Sequence, residues 1–229
     1  MLNQSQASPI VRPQWGQKAS AGVDEALFPA RHPGLVATEF TYGRNESIYG
    51  EGEPAEYVYQ VIRGGVRSYK LLNDGRRQIG AFHLPGDVFG LESGSAHRLT
   101  AEAIVETTVR MVKRRALEAA AKSDVEVACT LWRMTATELR HAEDLMLLLG
   151  RKTAAERVAT FLLEMDRRIS TAGMFALPMG RGDIADYLGL TLETVSRTLS
   201  QLHADGVLGF SGARQITLRN RSRLAAMDA

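Results

Sequence analysis

The sequence predicts an α+β chain in three successive parts: a β-rich first part, one long helix, and a small helical part that ends in a hairpin. Three observations carry this prediction. Short alternating runs set between glycines fill residues 34–115. From Leu117 to Leu149 the apolar period changes to threes and fours. Between Arg181 and Leu202, two short apolar stripes flank Gly189. At 229 residues the chain is long enough for two modest domains, each with its own core.

In chain order, residues 1–29 are rich in Gln, Ser, Ala, Gly and Pro with no sustained period. They read as a flexible N-terminal arm in which Trp15 is a packing contact. Residues 30–116 read as a β-roll. The runs Tyr57–Ile62 and Val66–Leu72 alternate in strand fashion, and Asn73-Asp74-Gly75 is a hairpin turn because these residues tolerate positive φ. Many short strands with glycine turns between them point to a barrel or roll.

Residues 117–150 read as one long dimerisation helix ended by Gly150. Val127, Leu131, Met134, Ala142, Leu145 and Leu149 fall on one seam, with Glu138 among them. Such a seam predicts pairing with a second helix, here its copy in a homodimer, and a polar residue within it can fix the register. A helix packed on its own domain would show the same spacing. Cys129, on this helix, reads as a buried inert thiol.

Residues 151–229 read as a winged helix-turn-helix. Gly150-Arg151-Lys152 is the expected hinge, and Thr153-Ala-Ala-Glu156 is a capping box that opens a helix carrying Val158, Phe161, Leu162 and Met165. Ile184, Ala185 and Leu188 then form one stripe, and Val195, Leu199 and Leu202 the next, with Thr191 as N-cap of the second helix. The polar face of that helix carries Glu193, Ser196, Arg197 and Gln201. Glu193 and Arg197 are four apart and can brace each other. Side chains near the N-terminus of such a helix reach base edges in a major groove. Gly206–Leu218 reads as a hairpin turning near Ser211-Gly212, which is the wing. Arg214 near its tip, and Arg219, Arg221 and Arg223 beyond it, are candidate phosphate contacts. Leu224–Ala229 reads as an exposed tail.

Composition bounds the function. Apolar content of 45% and charge of 24% describe a soluble globular chain, and the apolar runs are too short for a membrane span. No secretory signal is visible. A single cysteine excludes an intrachain disulfide and an all-cysteine cluster, so the cytoplasm is the expected compartment. Residues 1–150 hold 17 basic and 18 acidic side chains, a net of −1; residues 151–229 hold 11 and 8, a net of +3. The positive excess lies with the helix-turn-helix, as a phosphate-binding surface requires. No Ser-His-Asp or Cys-His arrangement, metal-ligand cluster or P-loop lysine is present, so the chain is not expected to be an enzyme or to hold a metal.

Three blocks are similar to one family over nearly the whole chain. They are Glu51–Gly64, Leu84-Pro-Gly-Asp-Val-Phe-Gly-Leu91, and Asp183-Ile-Ala-Asp-Tyr-Leu-Gly-Leu-Thr-Leu-Glu-Thr-Val-Ser-Arg197. Together they resemble the Crp/Fnr superfamily of bacterial transcription regulators, and the third looks closest to its FixK-like branch. The resemblance implies a cyclic-nucleotide-binding-like β-roll followed by a dimerisation helix and the winged domain. It implies a homodimer that binds double-stranded DNA at a palindrome of TTGA-like half-sites and activates low-oxygen or nitrogen-fixation genes through RNA polymerase.

The Glu-x-x-Ser-Arg core of Fnr-type readers is matched by Glu193, Ser196 and Arg197. Arg197 would donate twice to guanine O6 and N7, Glu193 accept from a cytosine amine, Ser196 bond a neighbouring edge, and Leu192 meet a thymine methyl. Thr191, Thr194, Arg181, Gln201 and Arg214 complete the candidate DNA-contacting set.

The pattern departs from the superfamily where it binds effectors. Regulators that bind cyclic AMP use a glutamate and an Arg-Ser pair to hold the phosphate; here Asp87 and His97-Arg98 stand in those places. The N-terminal cysteines that hold an iron–sulfur cluster in the Fnr branch are missing. Histidines that could serve haem are present, His32, His83, His97, His141 and His203. The expectation is a regulator with no cofactor and no bound effector, the alternative being one gated by a small molecule or haem in the roll.

Overall fold

The computed structural model describes residues 35–170, 173–212 and 214–227; the arm expected over 1–29, with Trp15, and also His32, lie outside the described residues. Strands β1 (Ala37–Tyr42), β2 (Ser47–Tyr49), β3 (Tyr57–Arg63), β4 (Val66–Leu71), β5 (Arg77–His83), β6 (Val88–Phe89), β7 (Thr100–Ala103) and β8 (Thr107–Lys113) pair into two four-stranded antiparallel sheets. Their orders are β1-β8-β3-β6 and β2-β7-β4-β5. Tyr49, Tyr59, Val61, Val66, Phe89, Ala101 and Val109 from both sheets form one buried cluster. The alternation read from the sequence therefore has its cause in a two-sheet roll.

Glycine is required at the β3–β4 turn. Gly64 has φ +93°, and a Cβ there would lie 2.5 Å from Thr107 Oγ1. That same hydroxyl donates to the Gly65 carbonyl at 3.0 Å and accepts from the Gly65 amide at 3.1 Å. The β4–β5 turn forms at Asn73-Asp74-Gly75 as expected, with the Asp74 carboxylate accepting from the Arg76 amide at 3.0 Å.

The helix expected over 117–150 is two helices, α1 (Arg114–Ser123) and α2 (Val125–Arg151). The break is at Asp124, which is extended at φ −130° and ψ 112° and caps α2 by accepting from the Glu126 and Val127 amides. An aspartate is a strong N-cap, and it interrupts a period that otherwise runs through it. Nor does Gly150 end the helix. The backbone stays helical through Arg151 and turns extended at Lys152, where the next cap begins. Glycine permits a helix end without enforcing one.

The seam read on α2 also needs correction. Val127 is 3% exposed in a cluster with Val58, Val88, Val112 and Leu117, and Leu131 and Met134 pack against it. Leu145 and Leu149 pack against a second core that includes the C-terminal part, and Glu138 and Ala142 line a cavity beside the roll. Val127 is thus covered by its own chain and Leu131, Met134, Leu145 and Leu149 are partly covered by it, while Glu138 and Ala142 are exposed. A different face of α2 carries Val125, Trp132, Leu139 and Met146, all exposed and spaced by heptads, with Trp132 75% exposed. Periodicity identifies an apolar face but does not say what covers it. Cys129 is exposed rather than buried.

Helix α3 (Ala154–Ile169) opens with the expected capping box. Thr153 N donates to Glu156 Oε2 at 2.7 Å, and the Thr153 hydroxyl accepts from Glu156 N. Val158, Phe161, Leu162 and Met165 are buried. After β9 (Met174–Ala176) come α4 (Arg181–Leu188) and α5 (Leu192–Ala204), then β10 (Leu208–Phe210) and β11 (Gln215–Leu218). The hairpin β10–β11 is the expected wing, and β9, which the sequence pattern did not reveal, extends it to a sheet of order β10-β11-β9. A last helix, α6 (Arg221–Ala226), corrects the exposed tail at its start: Leu224 is 0% exposed within the core, while Ala225 and Ala226 are exposed and 228–229 lie outside the described residues.

The roll and the winged domain share one core. Ile79, Phe82, Leu84 and Ile104 of the roll belong to the same buried cluster as Phe161, Tyr187, Leu188 and Leu199. The Phe82 ring lies 6.2 Å from Phe161 and 5.1 Å from Tyr187, centroid to centroid.

Candidate nucleic-acid interface

Helix α4 and helix α5 are set by local chemistry. Asp183 Oδ2 accepts from the Gly180 amide at 3.2 Å and so closes the N-terminus of α4. Gly189 ends it at φ +60°, and the amides of Gly189 and Leu190 both donate to the Ala185 carbonyl. The left-handed cap needs glycine, and it sets the angle between the two helices. Thr191 then caps α5, its hydroxyl accepting from Thr194 N at 3.1 Å and lying 2.9 Å from the Thr194 hydroxyl. Both apolar stripes read from the sequence are buried: Ile184, Ala185 and Leu188 on α4, and Val195, Leu199 and Leu202 on α5.

This packing turns the opposite face of α5 outward. Leu192, Glu193 and Arg197 are exposed and Ser196 is half-buried beside them. Arg197 Nη2 lies 2.5 Å from Glu193 Oε1, as their spacing of four implies. Both side chains are about three-quarters exposed, so this pair contributes only ~0.3–0.5 kcal/mol and yields readily to a stronger partner. Gln201, also exposed, bonds Asp205 at 2.9 Å, and Arg181 is half-buried at the start of α4. Arg214 is turned back: its Nη1 donates to the Pro178 carbonyl at 3.0 Å. Two of the tail arginines are likewise engaged, Arg221 with Asp166 at 2.9 Å and Arg223 with Asp205 at 3.6 Å.

The expected hinge is bridged by a residue that sequence reasoning missed. Arg157 on α3 donates to three carbonyls: Leu149 near the end of α2 at 2.8 Å, Lys152 at 2.9 Å, and Leu188 at the end of α4 at 2.9 Å. One guanidinium thus ties the long helix to the helix-turn-helix. An arginine within an amphipathic helix carries no local sign of such partners, and no sequence signal would have found it.

Between the roll and α2 lies a cavity of about 770 Å³. Apolar and aromatic side chains such as Phe89, Leu99 and Leu145 line it, together with His83, Glu138 and His141. His83 Nε2 lies 2.8 Å from the Ser68 hydroxyl, and burial pushes its imidazole down to about 3, with Arg168 acting in the same direction. His141 Nε2 is buried and finds no hydrogen-bond partner among the described residues. His97 is buried and stacks on Tyr49 at 3.5 Å, while Arg98 is exposed. Asp87 accepts from the Leu84 amide at 2.7 Å and from Arg168, so its carboxylate is already engaged. Among the described residues, no group of three or more His, Cys, Asp or Glu is placed to hold a metal ion.

Residues 39–124 match the cyclic nucleotide-binding domain family, and residues 156–227 match the Crp-like helix-turn-helix domain family. The chain is 45% identical over 232 residues to the nitrogen fixation regulation protein FixK of Azorhizobium caulinodans, an overlap spanning 99% of this chain and 94% of that one. It is 41% identical over 199 residues to FixK of Rhizobium meliloti, spanning 87% and 90%. Among solved structures, FixK2 from Bradyrhizobium japonicum superposes with a TM-score of 0.84 at 77% identity, covering 85% of this chain and 98% of that chain.

The chain belongs to the FixK branch of the Crp/Fnr superfamily. It is a transcription regulator with a DNA-binding helix-turn-helix and is not an enzyme. Among the described residues, no helix is long and apolar enough to cross a membrane. In this FixK-like chain the Glu-x-x-Ser-Arg motif stands on the outward face of α5, and the roll keeps a cavity lined in part by the buried His83.

The buried His83 gives a pH signature. Its folded pKa lies below the unfolded value of about 6.5, so the unfolded chain takes up the proton first. The contribution to stability is complete above pH ~6.5 and is lost as pH falls toward 3. Urea unfolding of the wild type between pH 6 and 4 is expected to lose up to ~1.4 kcal/mol per pH unit that a His83→Gln variant does not lose. Parallel curves for the two proteins would show that His83 titrates normally.

Proposed function

We propose that this chain is a homodimeric, sequence-specific activator that reads an inverted repeat of TTGA-like half-sites and needs no bound effector to do so. It works in the cytoplasm, together with RNA polymerase, on low-oxygen or nitrogen-fixation genes, the process named for its FixK relatives. The observation that carries the reading is the outward face of α5. Leu192, Glu193 and Arg197 project from its first two turns, next to Ser196, while its other face is locked in the core. Arg197 pairs with guanine O6 and N7, Glu193 accepts from a cytosine amine, Ser196 bonds an adjacent edge and Leu192 meets a thymine methyl. Thr191 and Thr194 bond each other at the start of the helix and act by setting its angle; Arg181 and Gln201 flank the reading face.

The two-fold partner is a second copy, joined along Val125, Trp132, Leu139 and Met146. A heptad row of exposed apolar residues is what a parallel helix pair buries. A dimer of this kind demands a palindromic site.

The cavity beside α2 favours a second reading, in which a small molecule or haem bound there gates DNA affinity. Its volume and the unpartnered Nε2 of His141 support that reading. A cyclic nucleotide phosphate needs directed donors, and the His97-Arg98 pair supplies them poorly, with His97 stacked on Tyr49 and Arg98 exposed; Asp87, which could accept only from a ligand hydroxyl, is already engaged by Arg168. Titrating haem or cyclic AMP while following palindrome binding separates the two: unchanged affinity is expected, and a shift of ten-fold or more would establish the gated reading.

Two variants test the main reading. Arg197→Ala is expected to lose ~1–3 kcal/mol per half-site contact on a TTGA palindrome while binding a scrambled duplex as before. Unchanged selectivity in gel shifts would remove Arg197 from the reading set. Trp132→Glu with Leu139→Glu is expected to sediment as a folded monomer with weakened palindrome binding. A dimer persisting at micromolar concentration would place the interface on another face.

A further inference from the structure

Asp183 and Asp186 lie within the helix-turn-helix, yet neither faces the DNA-reading side. Both point into the roll. Asp183 Oδ1 accepts from Arg67 Nη1 at 2.8 Å and from Arg77 Nη2 at 2.7 Å, while its Oδ2 closes the start of α4 on Gly180. Arg67 is itself buried on β4, where its other terminal nitrogen reaches Asn45 at 3.1 Å and also the Glu102 carboxylate. Arg77 on β5 binds Asp186 through Nε at 2.9 Å, and its guanidinium lies 5.2 Å from the Tyr69 ring centroid. Next to them, Gln78 Nε2 donates to the Tyr187 carbonyl at 3.2 Å. The first helix of the reading motif is thus held on the β4–β5 hairpin by two guanidiniums that share one carboxylate.

The apolar contact of Phe82 with Phe161 and Tyr187 holds the two parts together, but apolar contact has no preferred direction. Buried ion pairs behave in the opposite way. They contribute little net stability against a well-packed apolar replacement, and their bonds are directional. A shared carboxylate between two guanidiniums is satisfied at one docking angle only. Angle matters here because α5 is joined rigidly to α4 through Gly189. A rotation of ~15° about a pivot one domain radius (~13 Å) away moves a helix by ~3.4 Å, the length of one base step. In a two-fold dimer the errors of both protomers enter the distance between recognition helices.

We propose that Arg67 and Arg77, acting on Asp183 and Asp186, are positioning residues for DNA reading: they set the angle of α5 and so the half-site spacing that the dimer accepts. This rests on the palindrome-reading dimer proposed above. None of the four side chains touches DNA. They act through α4, and their loss blurs spacing without altering which bases are read.

The test compares three palindromes that differ only in the spacer, one at the preferred length and two with one base pair added or removed, together with a single half-site duplex. Full-length wild type, Arg67→Ala and Asp183→Asn are measured by fluorescence anisotropy at one salt concentration. The wild type is expected to prefer one spacing. The variants are expected to lose ten-fold or more of that preference while binding the single half-site within about two-fold of wild type. Arg77→Lys and Asp186→Ala, which alter the half-buried outer pair, are expected to lose a smaller part of it, and they serve if an inner variant does not fold. Wild-type spacing preference in all folded variants overturns the inference alone. So does an equal loss on every duplex, which is the mark of a merely structural role. Failure of the wild type to prefer any palindrome over scrambled DNA overturns the dimeric reading, and this inference with it.

Discussion

The packing of Phe82 between Phe161 and Tyr187 joins what would otherwise be two independent domains. Phe82 comes from the end of strand β5, Phe161 from the helix that follows the linker, and Tyr187 from the first helix of the reading motif. Because all three rings are buried, the roll and the winged domain cannot separate without exposing aromatic surface to water. Everything else at the junction is arranged around this contact. Arg168 crosses from α3 to the Phe82 carbonyl at 3.0 Å and to Asp87, and Arg157 spans the ends of α2 and α4. The linker at Lys152-Thr153 is thereby held on both sides.

Helix α2 explains both a success and a failure of sequence reasoning. Its length and apolar period were legible because both are properties of the helix alone. What each face meets was not. The row Val127, Leu131, Met134 resembles a dimer seam in spacing, yet it is covered by the roll of the same chain. The row Val125, Trp132, Leu139, Met146 is left bare. A helix that closes a roll and, in the dimer proposed above, also meets a partner needs two apolar faces, and a period of threes and fours fits either of them. Asp124 escaped notice for a related reason: one capping residue breaks a helix without disturbing the pattern on either side of it.

The reading motif was legible almost residue by residue, because it is built from short-range chemistry. Thr191 caps three residues ahead, Gly189 turns the chain at positive φ, and Glu193 reaches Arg197 one turn on. Each is a relation within four residues. The clamp beneath it was not legible. Arg67 and Asp183 are 116 residues apart, and neither sits in a pattern that names the other. The basic excess of the C-terminal part was a coarse guide for the same reason. Several of its arginines, among them Arg168, Arg214 and Arg221, are engaged with carboxylates or carbonyls of this chain.

These commitments bear on control. In the superfamily resemblance, the positions of Asp87 and His97-Arg98 are where a cyclic nucleotide would be held. Here Asp87 takes the Arg168 guanidinium and the Leu84 amide, and His97 lies flat on Tyr49. A ligand hydroxyl seeking Asp87 would have to displace an intramolecular guanidinium that also steadies the Phe82 carbonyl. Asp87, one of the groups an effector would recruit, is thus already used to hold Arg168 of the winged domain in place. A conformational change driven by a ligand needs two states that the ligand tells apart. With the shared aromatic core, the Arg168 contacts and the carboxylate clamp all satisfied in one arrangement, a second arrangement would have to give up several buried polar contacts together. These contacts support the effector-free reading proposed above, in which the DNA-reading face is set by the chain's own side chains.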